Sequence, residues 1–384
     1  MTDQTDFGGA DIVGWGVGPV LEKFSSISRI VVLRGGGLGD LMFALPAVSA
    51  LKAAYPGATI TLLGTPGHAE LFQSTLAPVQ DVRILPFAEG VRPGAEDTAA
   101  TGAFFGAMRR ERFDLAVQLH GGGRFSNPFL LRLGARHSVG TRTPDAALLE
   151  RCLPYVYYQH EPLRALEVVG LAGAAPVELE ARLRPRAGYT ARAEEVLDSL
   201  PGSPNSPVVA LHPGATDPRR RWSVNGFAEV AAACAADGNR VLVIGTAAEA
   251  NLASSIVQRS GSRSVLSLAG ALDLGTLTAV LDRCHVLLGN DSGPRHLAQA
   301  LGTPTVGIYW AGNMINASPL GRSQHRTHLS WVTRCPECGA DVTQVGWTSL
   351  RCPHDVSLML GIDPDEVYRD VRYFTARTLL PRDR

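Results

Sequence analysis

Short unbroken runs of Val, Ile and Leu recur along this chain, and each ends in a turn of glycine or small polar residues. A strand with one wet face alternates apolar and polar residues. An unbroken apolar run instead belongs to a strand covered on both faces, as in a parallel sheet. Such runs predict strands at 29–33, 58–63, 82–85 and 114–119, and again at 208–212, 240–244, 265–268, 286–288 and 305–309. Helical periodicity fills the intervals, notably at 227–236, 247–259 and 274–283. Asp363 as N-cap and Pro364 at the first helical position open a terminal helix that runs to Leu379.

Two successive strand–helix series in 384 residues predict an α/β protein of two Rossmann-like, doubly wound domains facing each other across a cleft. Residues 1–28 read as an N-terminal extension outside the main fold and 29–200 as the first domain. The loop 201–207 marks the boundary, 208–362 the second domain, and 363–384 a C-terminal helix. Doubly wound sheets bind ligands beyond the carboxyl ends of their strands. The most distinctive loops here, after Leu33, Leu211, Ile244 and Leu288, fall at such ends.

Lys+Arg and Asp+Glu balance at 36 each, so the charge favours neither nucleic acid nor an anionic membrane surface. No apolar stretch approaches the roughly 20 residues that span a bilayer, and no secretory leader pattern is present. A cytoplasmic protein is expected, with at most peripheral contact at the inner face of the membrane. Of the six cysteines, Cys152, Cys234 and Cys284 lie in apolar or helical surroundings and read as small core residues. Cys335 and Cys338 have knuckle-like spacing, and Cys352 and His354 follow. Zinc could bind there, yet Cys352 and His354 stand closer in sequence than the usual ligand pairs. Reduced thiols in a packed loop are the leading expectation, with no metal assigned.

Four loops carry candidate chemistry. Residues 289–298, GNDSGPRHLA, join a buried strand to a short helix. Such a turn points backbone N–H groups and the positive end of the helix dipole at an anion, above all a phosphate; an ordinary N-cap fits it equally. Residues 34–40, RGGGLGD, allow close backbone approach to a ligand. They do not match the dinucleotide fingerprint, because the glycine spacing differs and the second strand ends without an acid for a ribose. A P-loop fails too, since no Gly-Lys-Ser/Thr follows. Asp40 is either a helix N-cap or a free loop carboxylate, because Pro46 would move the regular helix start towards Leu45. In 212–222, a small-residue turn leads to Arg219, Arg220 and Arg221, whose guanidinium forks suit phosphate oxygens. Arg219 is the one best read as solvated. Glu249 either accepts hydrogen bonds from a ligand or caps its helix.

Taken together, RGGGLGDLMFALPAVSALK, LHPGAT with the following RRRWSVNGFAEV, and GNDSGPRHLAQALGTPTVGIY resemble a known family in order and spacing. It is the ADP-heptose:lipopolysaccharide heptosyltransferase family, glycosyltransferase family 9. The resemblance extends from about Arg29 to Val367 and includes DLAVQLHGGG at 114–123 and the Cys-rich tail. It implies a GT-B fold with an acceptor-binding first domain, a nucleotide-sugar-binding second domain and a terminal helix packed back on the first. It further implies inverting transfer of a sugar, heptose, from a nucleotide-diphosphate donor, ADP-heptose. The acceptor would be a hydroxyl of a glycan or glycolipid of the lipopolysaccharide-core kind, with no cofactor and no metal.

Asp40 falls on the family's proposed base, and Arg220 on the basic residue that holds the diphosphate, where many members have Lys. His212, Gly214, Thr216, Glu249, Asp291, Ser292, Gly293 and His296 fall on donor-site motifs. N–H groups of Ser292 and Gly293 would share the growing negative charge with Arg220. Gly37, Gly39 and Arg124 are the acceptor candidates. Arg124, Arg132, Arg136 and Arg142 could form a basic wall, although scattered surface charges are the preferred reading. Two departures stand out: Gly35-Gly36-Gly37 is richer in glycine than a typical heptosyltransferase loop, and Arg295 would place a cation beside the diphosphate motif. The competing functions are a non-catalytic nucleotide-sugar-binding or scaffold protein and a GT-B-type epimerase or hydrolase. The latter would need further acid/base residues, which the sequence does not identify.

Overall fold

The computed structural model describes residues 16–343 and 350–377. The chain divides into two compact units, one of residues up to 72 with 77–182, the other of 73–76 with 183 onward.

In the first unit, β1 (Arg29–Leu33), β2 (Thr59–Gly64), β3 (Asp81–Ile84), β4 (Leu115–Gln118), β5 (His137–Arg142) and β6 (Arg151–Pro154) form one sheet. Its order is β3-β2-β1-β4-β5-β6 and every pair is parallel. Helix α1 (Leu38–Ala54) buries Leu41, Ala44, Leu45, Val48 and Leu51, which recur at three- and four-residue spacing. Pro46 lies inside this helix, which starts at Leu38 and not near Leu45. A proline in a helix interior costs about 3 kcal/mol. Burying that apolar stripe, at about 1.5–3 kcal/mol for each large side chain, outweighs it. Helix α2 (Glu161–Gly170) packs alongside α1.

Residues 16–28 are part of this unit and not an appendage. Val17 and Phe24 are buried, Leu21 N donates to Gly170 O at 2.9 Å, and the Phe24 ring stacks on His137 at 4.1 Å. The segment has no helical or strand period, so nothing in its pattern announced this packing. Residues 1–15 of the expected extension lie outside the described residues.

The second unit repeats the plan with β7 (Val208–His212), β8 (Arg240–Val243), β9 (Val265–Ser267), β10 (Val286–Asn290), β11 (Thr305–Trp310) and β12 (His325–Ser330). Its order is β9-β8-β7-β10-β11-β12, again parallel throughout. In each sheet the strand order reverses once, between β1 and β4 and between β7 and β10. Crevices for ligands open at the carboxyl ends of such neighbours. Helix α3 (Ala187–Asp198) packs against α5 (Leu274–Arg283), with α4 (Val224–Ala236) lying between them in sequence. The boundary therefore falls at residue 183 and not in the loop 201–207. The physical reason is local: the Tyr189 ring lies where a Cβ on Gly275 would stand, 2.2 Å away.

Helix α7 (Pro364–Thr375) begins as expected, with the Asp363 side chain accepting from Asp365 N at 3.0 Å. Its packing differs from expectation. Val367, Val371 and Phe374, spaced along one face, enter the second unit's core beside Phe227 and Val230, and α7 packs on α4, β10 and β11. Residues 378–384 of the expected helical segment lie outside the described residues. No helix among the described residues is long and apolar enough to cross a membrane.

Replacing Phe374 by Ala should destabilise the second unit by roughly 3–5 kcal/mol, the range for a buried aromatic. Arg369→Ala, on the 70% exposed Arg369 side chain, should stay within about 0.5 kcal/mol. Urea unfolding followed by Trp fluorescence distinguishes the two; equal effects would mean that α7 is not part of this core.

Candidate active site

At the reversal point of the second sheet, Gly289 pairs with His212 across β10 and β7, so the two strands deliver their following loops side by side. Asn290 ends β10 fully buried. Its Oδ1 accepts from Trp222 N at 3.0 Å and its Nδ2 donates to Pro213 O at 2.7 Å. One amide thus ties both ends of the 213–222 loop to the strand, a role that only its position at the end of an apolar run could have signalled. Helix α6 (Gly293–Ala300) starts immediately afterwards. Ser292 is its N-cap in extended conformation, but the hydroxyl does not cap the helix: it donates to Asn290 O at 3.1 Å and lies 2.9 Å from His212 Nδ1. Pro294 has no N–H, and Arg295 N and His296 N both donate to Ser292 O, at 3.1 and 3.2 Å, so the backbone of Ser292 caps the first turn of α6 in place of its hydroxyl.

The three arginines of the neighbouring loop have separate fates. Arg219, expected to be solvated, is buried and grips Asp217 through Nη2 at 2.6 Å. Burial would raise the Asp217 pKa, but hydrogen bonds from Arg219 hold it down to about 2. Arg221 Nε donates to Ala215 O at 2.9 Å. Arg220 keeps 28% of its side chain exposed while Nη1 donates to Asp291 Oδ2 at 3.2 Å.

Asp291 sits beneath Arg220. Its Oδ2 also accepts from Asn313 Nδ2 at 2.7 Å, and its Oδ1 accepts from His296 Nε2 at 2.8 Å. Burial pushes this carboxyl up, whereas His296, Arg220 and Arg295 pull it down to about 2, so it stays charged. Asp291 therefore positions Arg220 and His296. Arg295 does not stand beside the diphosphate motif as expected. It is fully buried, its guanidinium 5.1 Å from the Tyr309 ring centroid, and it donates to Gln299 Oε1 at 3.0 Å and to His296 Nδ1. With the helix starting at Gly293, consecutive residues diverge by about 100°, so His296 faces Asp291 and Arg295 turns into the core.

Glu249 realises the capping alternative, its Oε2 accepting from Thr246 N at 2.7 Å and from Thr246 Oγ1 at 3.0 Å. The His212 imidazole beside it, 3.8 Å away, and the Thr246 N–H hold its pKa near about 2 despite partial burial. Gly214 packs on the same carboxylate, where a Cβ would fall 1.7 Å from Oε1. Thr216 is exposed on the loop.

At the reversal point of the first sheet, Leu33 pairs with Gln118. Gly36 takes φ +85°, and a Cβ there would stand 2.4 Å from Asp40 Oδ2, so this glycine is the one the turn requires. Gly37, an acceptor candidate, is ordinary extended backbone, and Gly39 is the second residue of α1. Asp40 is third in α1. Its Oδ2 accepts from Gly37 N at 2.8 Å and its Oδ1 from Arg34 Nη2 at 2.8 Å, yet 47% of the side chain stays exposed. Capping and an accessible carboxylate, weighed as alternatives, coexist.

Arg34 was passed over in the sequence. Almost fully buried, it also donates to Asp40 O at 2.9 Å and to Leu119 O, and it pairs with Glu161 at 3.6 Å. Two histidines brace the loop. His120 Nδ1 accepts from Gly35 N at 3.2 Å, and His68 Nε2 lies 3.3 Å from Gly37 O. Burial lowers the pKa of both, His68 to about 4, so both are neutral near pH 7. Arg34, Phe43, Gln118, Thr141, Glu161 and Arg164 help line a small pocket.

No basic wall forms from the four remaining arginines. Arg124 is exposed, pairs with Asp145 at 3.5 Å and lies over Phe125. Arg132 stacks over Phe105 at 3.7 Å, Arg136 donates to Ser25 O and Ser26 O, and Arg142 is half-buried on β5. Among the described residues, Cys335, Cys338, Cys352 and His354 do gather, their ligand atoms all within 4.8 Å of one another.

The family model for glycosyltransferase family 9 (heptosyltransferase) matches residues 101–339, more than half of the chain. Lipopolysaccharide heptosyltransferase 1 of Pseudomonas aeruginosa is 26% identical over 323 residues, covering 81% of this chain and 86% of its own. Lipopolysaccharide heptosyltransferase 2 of Salmonella typhimurium is 24% identical over 295 residues, covering 73% and 82%. The solved glycosyl transferase family 9 protein of Veillonella parvula has a TM-score of 0.72 at 17% identity, covering 91% of this chain and 97% of that one. ADP-heptose lps heptosyltransferase II of E. coli has a TM-score of 0.68 at 19% identity, covering 91% and 98%. Those structures share the two-sheet GT-B fold. The chain belongs to glycosyltransferase family 9, the heptosyltransferase family, and is a glycosyltransferase.

Proposed function

We propose that this enzyme moves a heptosyl group from ADP-heptose to a hydroxyl of a lipopolysaccharide-core-like glycan, with inversion at the anomeric carbon and no metal in the transfer step. The observation that carries this reading is Arg220, held against the buried Asp291 beside the start of α6. A nucleoside diphosphate leaving from a sugar needs positive charge that is already in place. Arg220 has N–H donors beyond the one given to Asp291, and the helix start adds its dipole. Together they supply the field that other transferases take from a divalent ion. His212 and Ser292, joined at 2.9 Å, hold the strand-end loops on either side. The similar proteins of Pseudomonas aeruginosa and E. coli are heptosyltransferases, the latter named for ADP-heptose, which supports the choice of donor.

Asp40 is our candidate for the base. Its carboxylate is oriented by Arg34 and Gly37 N and remains open to solvent. In the proposed step the acceptor hydroxyl gives its proton to Asp40 as its oxygen bonds to the anomeric carbon, and the bond to the diphosphate oxygen breaks with its electron pair going to ADP. Arg34 and Glu161, lining the pocket beside Asp40, are candidates to bind the acceptor.

Removing the guanidinium by Arg220→Ala should lower kcat by about 10²–10³, as for the loss of one preorganised donor. Arg220→Lys should retain part of the activity; ADP release is the readout, and unchanged turnover in Arg220→Ala would refute the diphosphate role. Asp40→Asn should lower kcat by about 10²–10⁴ while leaving ADP-heptose affinity unaltered. If Asp40→Asn kept full turnover, another base or a non-catalytic role would follow. A thermal-shift panel of nucleotide sugars tests the donor independently: stabilisation by ADP and ADP-heptose is expected, and a response only to another nucleotide would overturn the assignment.

A further inference from the structure

We propose that Cys335, Cys338, Cys352 and His354 form a structural site for a thiophilic divalent metal ion, zinc by the chemistry of its ligands, and that this site anchors the loop bearing Arg220. The expectation of merely packed thiols is set aside by geometry. Four ligand atoms lie within 4.8 Å of one another, with Cys335 Sγ 3.8 Å from His354 Nδ1. A tetrahedral zinc with bonds of about 2.0–2.3 Å places its ligand atoms roughly 3.4–3.8 Å apart. The four need to move little to meet that shell.

The backbone is shaped for the task. Cys335 N donates to Ala340 O at 2.8 Å and Gly339 N to Cys335 O at 2.9 Å. The second bond closes a turn over 335–339 that holds Cys338 near Cys335, and Gly339, at φ +69°, returns Ala340 to pair with Cys335. The close spacing of Cys352 and His354 argued against zinc only if both lay on a helix. They lie in a stretch without helix or strand, where residues two apart can face one side.

The segment also needs a staple. Between Ser330 and Pro364 the described residues hold no regular helix or strand. Their apolar cluster is small, with Cys335, Val342 and Leu358 at its centre and Trp310, Val332 and Val356 around them. Binding would release the three thiol protons to solvent, leaving three thiolates and a neutral imidazole around the ion. That closed set of four has no position for substrate, which marks a structural site; no step of the transfer runs through it.

What the staple holds is specific. Leu358 N donates to Arg219 O at 2.7 Å and Ser357 Oγ to Arg221 O at 2.6 Å, so the segment grips the chain on both sides of Arg220. Arg351 adds an ion pair to Asp217 at 3.5 Å.

Elemental analysis of the full-length protein, purified without a metal-affinity step and dialysed, should find stoichiometric zinc; stoichiometric ferrous iron would equally support a thiophilic divalent site. X-ray absorption at the metal edge should show three sulfurs and one nitrogen. A thiol reagent should reach Cys335, Cys338 and Cys352 only after a strong chelator is added. Cys338→Ser and His354→Ala should lose the metal, but the wild-type measurements decide the matter even if those variants fail to fold. Metal-free protein whose exposed Cys338 reacts at once, or a disulfide among the three cysteines, would overturn the site. Hydrogen exchange tests the anchoring apart from any activity: chelation should speed exchange at 217–222 and 355–360. A stoichiometric metal whose removal leaves that exchange unchanged would overturn the anchoring.

Discussion

Asp291 carries a full negative charge with 4% of its surface exposed, and the demands of that charge organise the second unit's site. An ionised carboxylate taken out of water costs several kcal/mol unless it is paired and hydrogen-bonded. Every partner here answers that demand: His296 on one oxygen, Arg220 and Asn313 on the other. His296 is fixed in turn by Arg295, whose own charge rests against Tyr309 and Gln299. The chain of contacts reaches from the fully buried interior of α6 to a guanidinium that is partly open to solvent. Asp291 is therefore best understood as the anchor that fixes the cation.

The first unit solves the converse problem at its own reversal point. There the buried charge is a cation, Arg34, and it collects anionic and carbonyl partners: the Asp40 carboxylate, Glu161, Asp40 O and Leu119 O. Those partners come from the first turn of α1, the loop after β4 and the start of α2, so one side chain aligns three elements. In the second unit the corresponding joining falls to the Asn290 amide and the His212–Ser292 pair. The same doubly wound plan has thus been closed twice by different chemistry. In each case the polar cross-link sits where the two central strands diverge and backbone groups lose their sheet partners.

This arrangement explains what could be read from the chain and what could not. The central strands announced themselves because burial on both faces demands Val, Ile and Leu, and their loops followed at predictable ends. The strands β5, β6 and β12, with sequences such as HSVGTR and HRTHLS, were missed because they carry no such run. Asp40, Arg220 and Asp291 were legible as candidates from residue type and place. Their relations were not, because those depend on tertiary register. Whether Arg295 or His296 faces Asp291 turns on a one-residue difference in where α6 begins. Arg34, His68 and His120 went unnoticed for a related reason: a lone polar residue, whether just beyond a strand like Arg34 and His120 or in a short helix like His68, has no local signature until its partners, distant in sequence, are known. The terminal helix showed its apolar stripe plainly, but a stripe says that a surface is buried and not which one.

The balance of charge around Arg220 bears on the diphosphate-binding role proposed for it, and on what an arginine offers there that a lysine would not. A guanidinium has five N–H donors in a planar fork, an ammonium three on a point charge. Asp291 takes one donor of Arg220 and offsets part of its charge. A lysine in that pairing would keep fewer directed donors for a ligand, because a guanidinium has more N–H groups beyond the one given to Asp291. The pairing also removes rotamer freedom before any ligand arrives, and a side chain as long as arginine carries up to about 2 kcal/mol of such freedom. A cation already fixed in place loses none of that on binding and needs no reorganisation as negative charge grows. The offset charge is the drawback, and the N-terminus of α6, immediately after Asp291, is positioned to restore a positive potential there. Burying an anion beneath the cation thus trades some field strength for direction, and the helix start returns part of the strength.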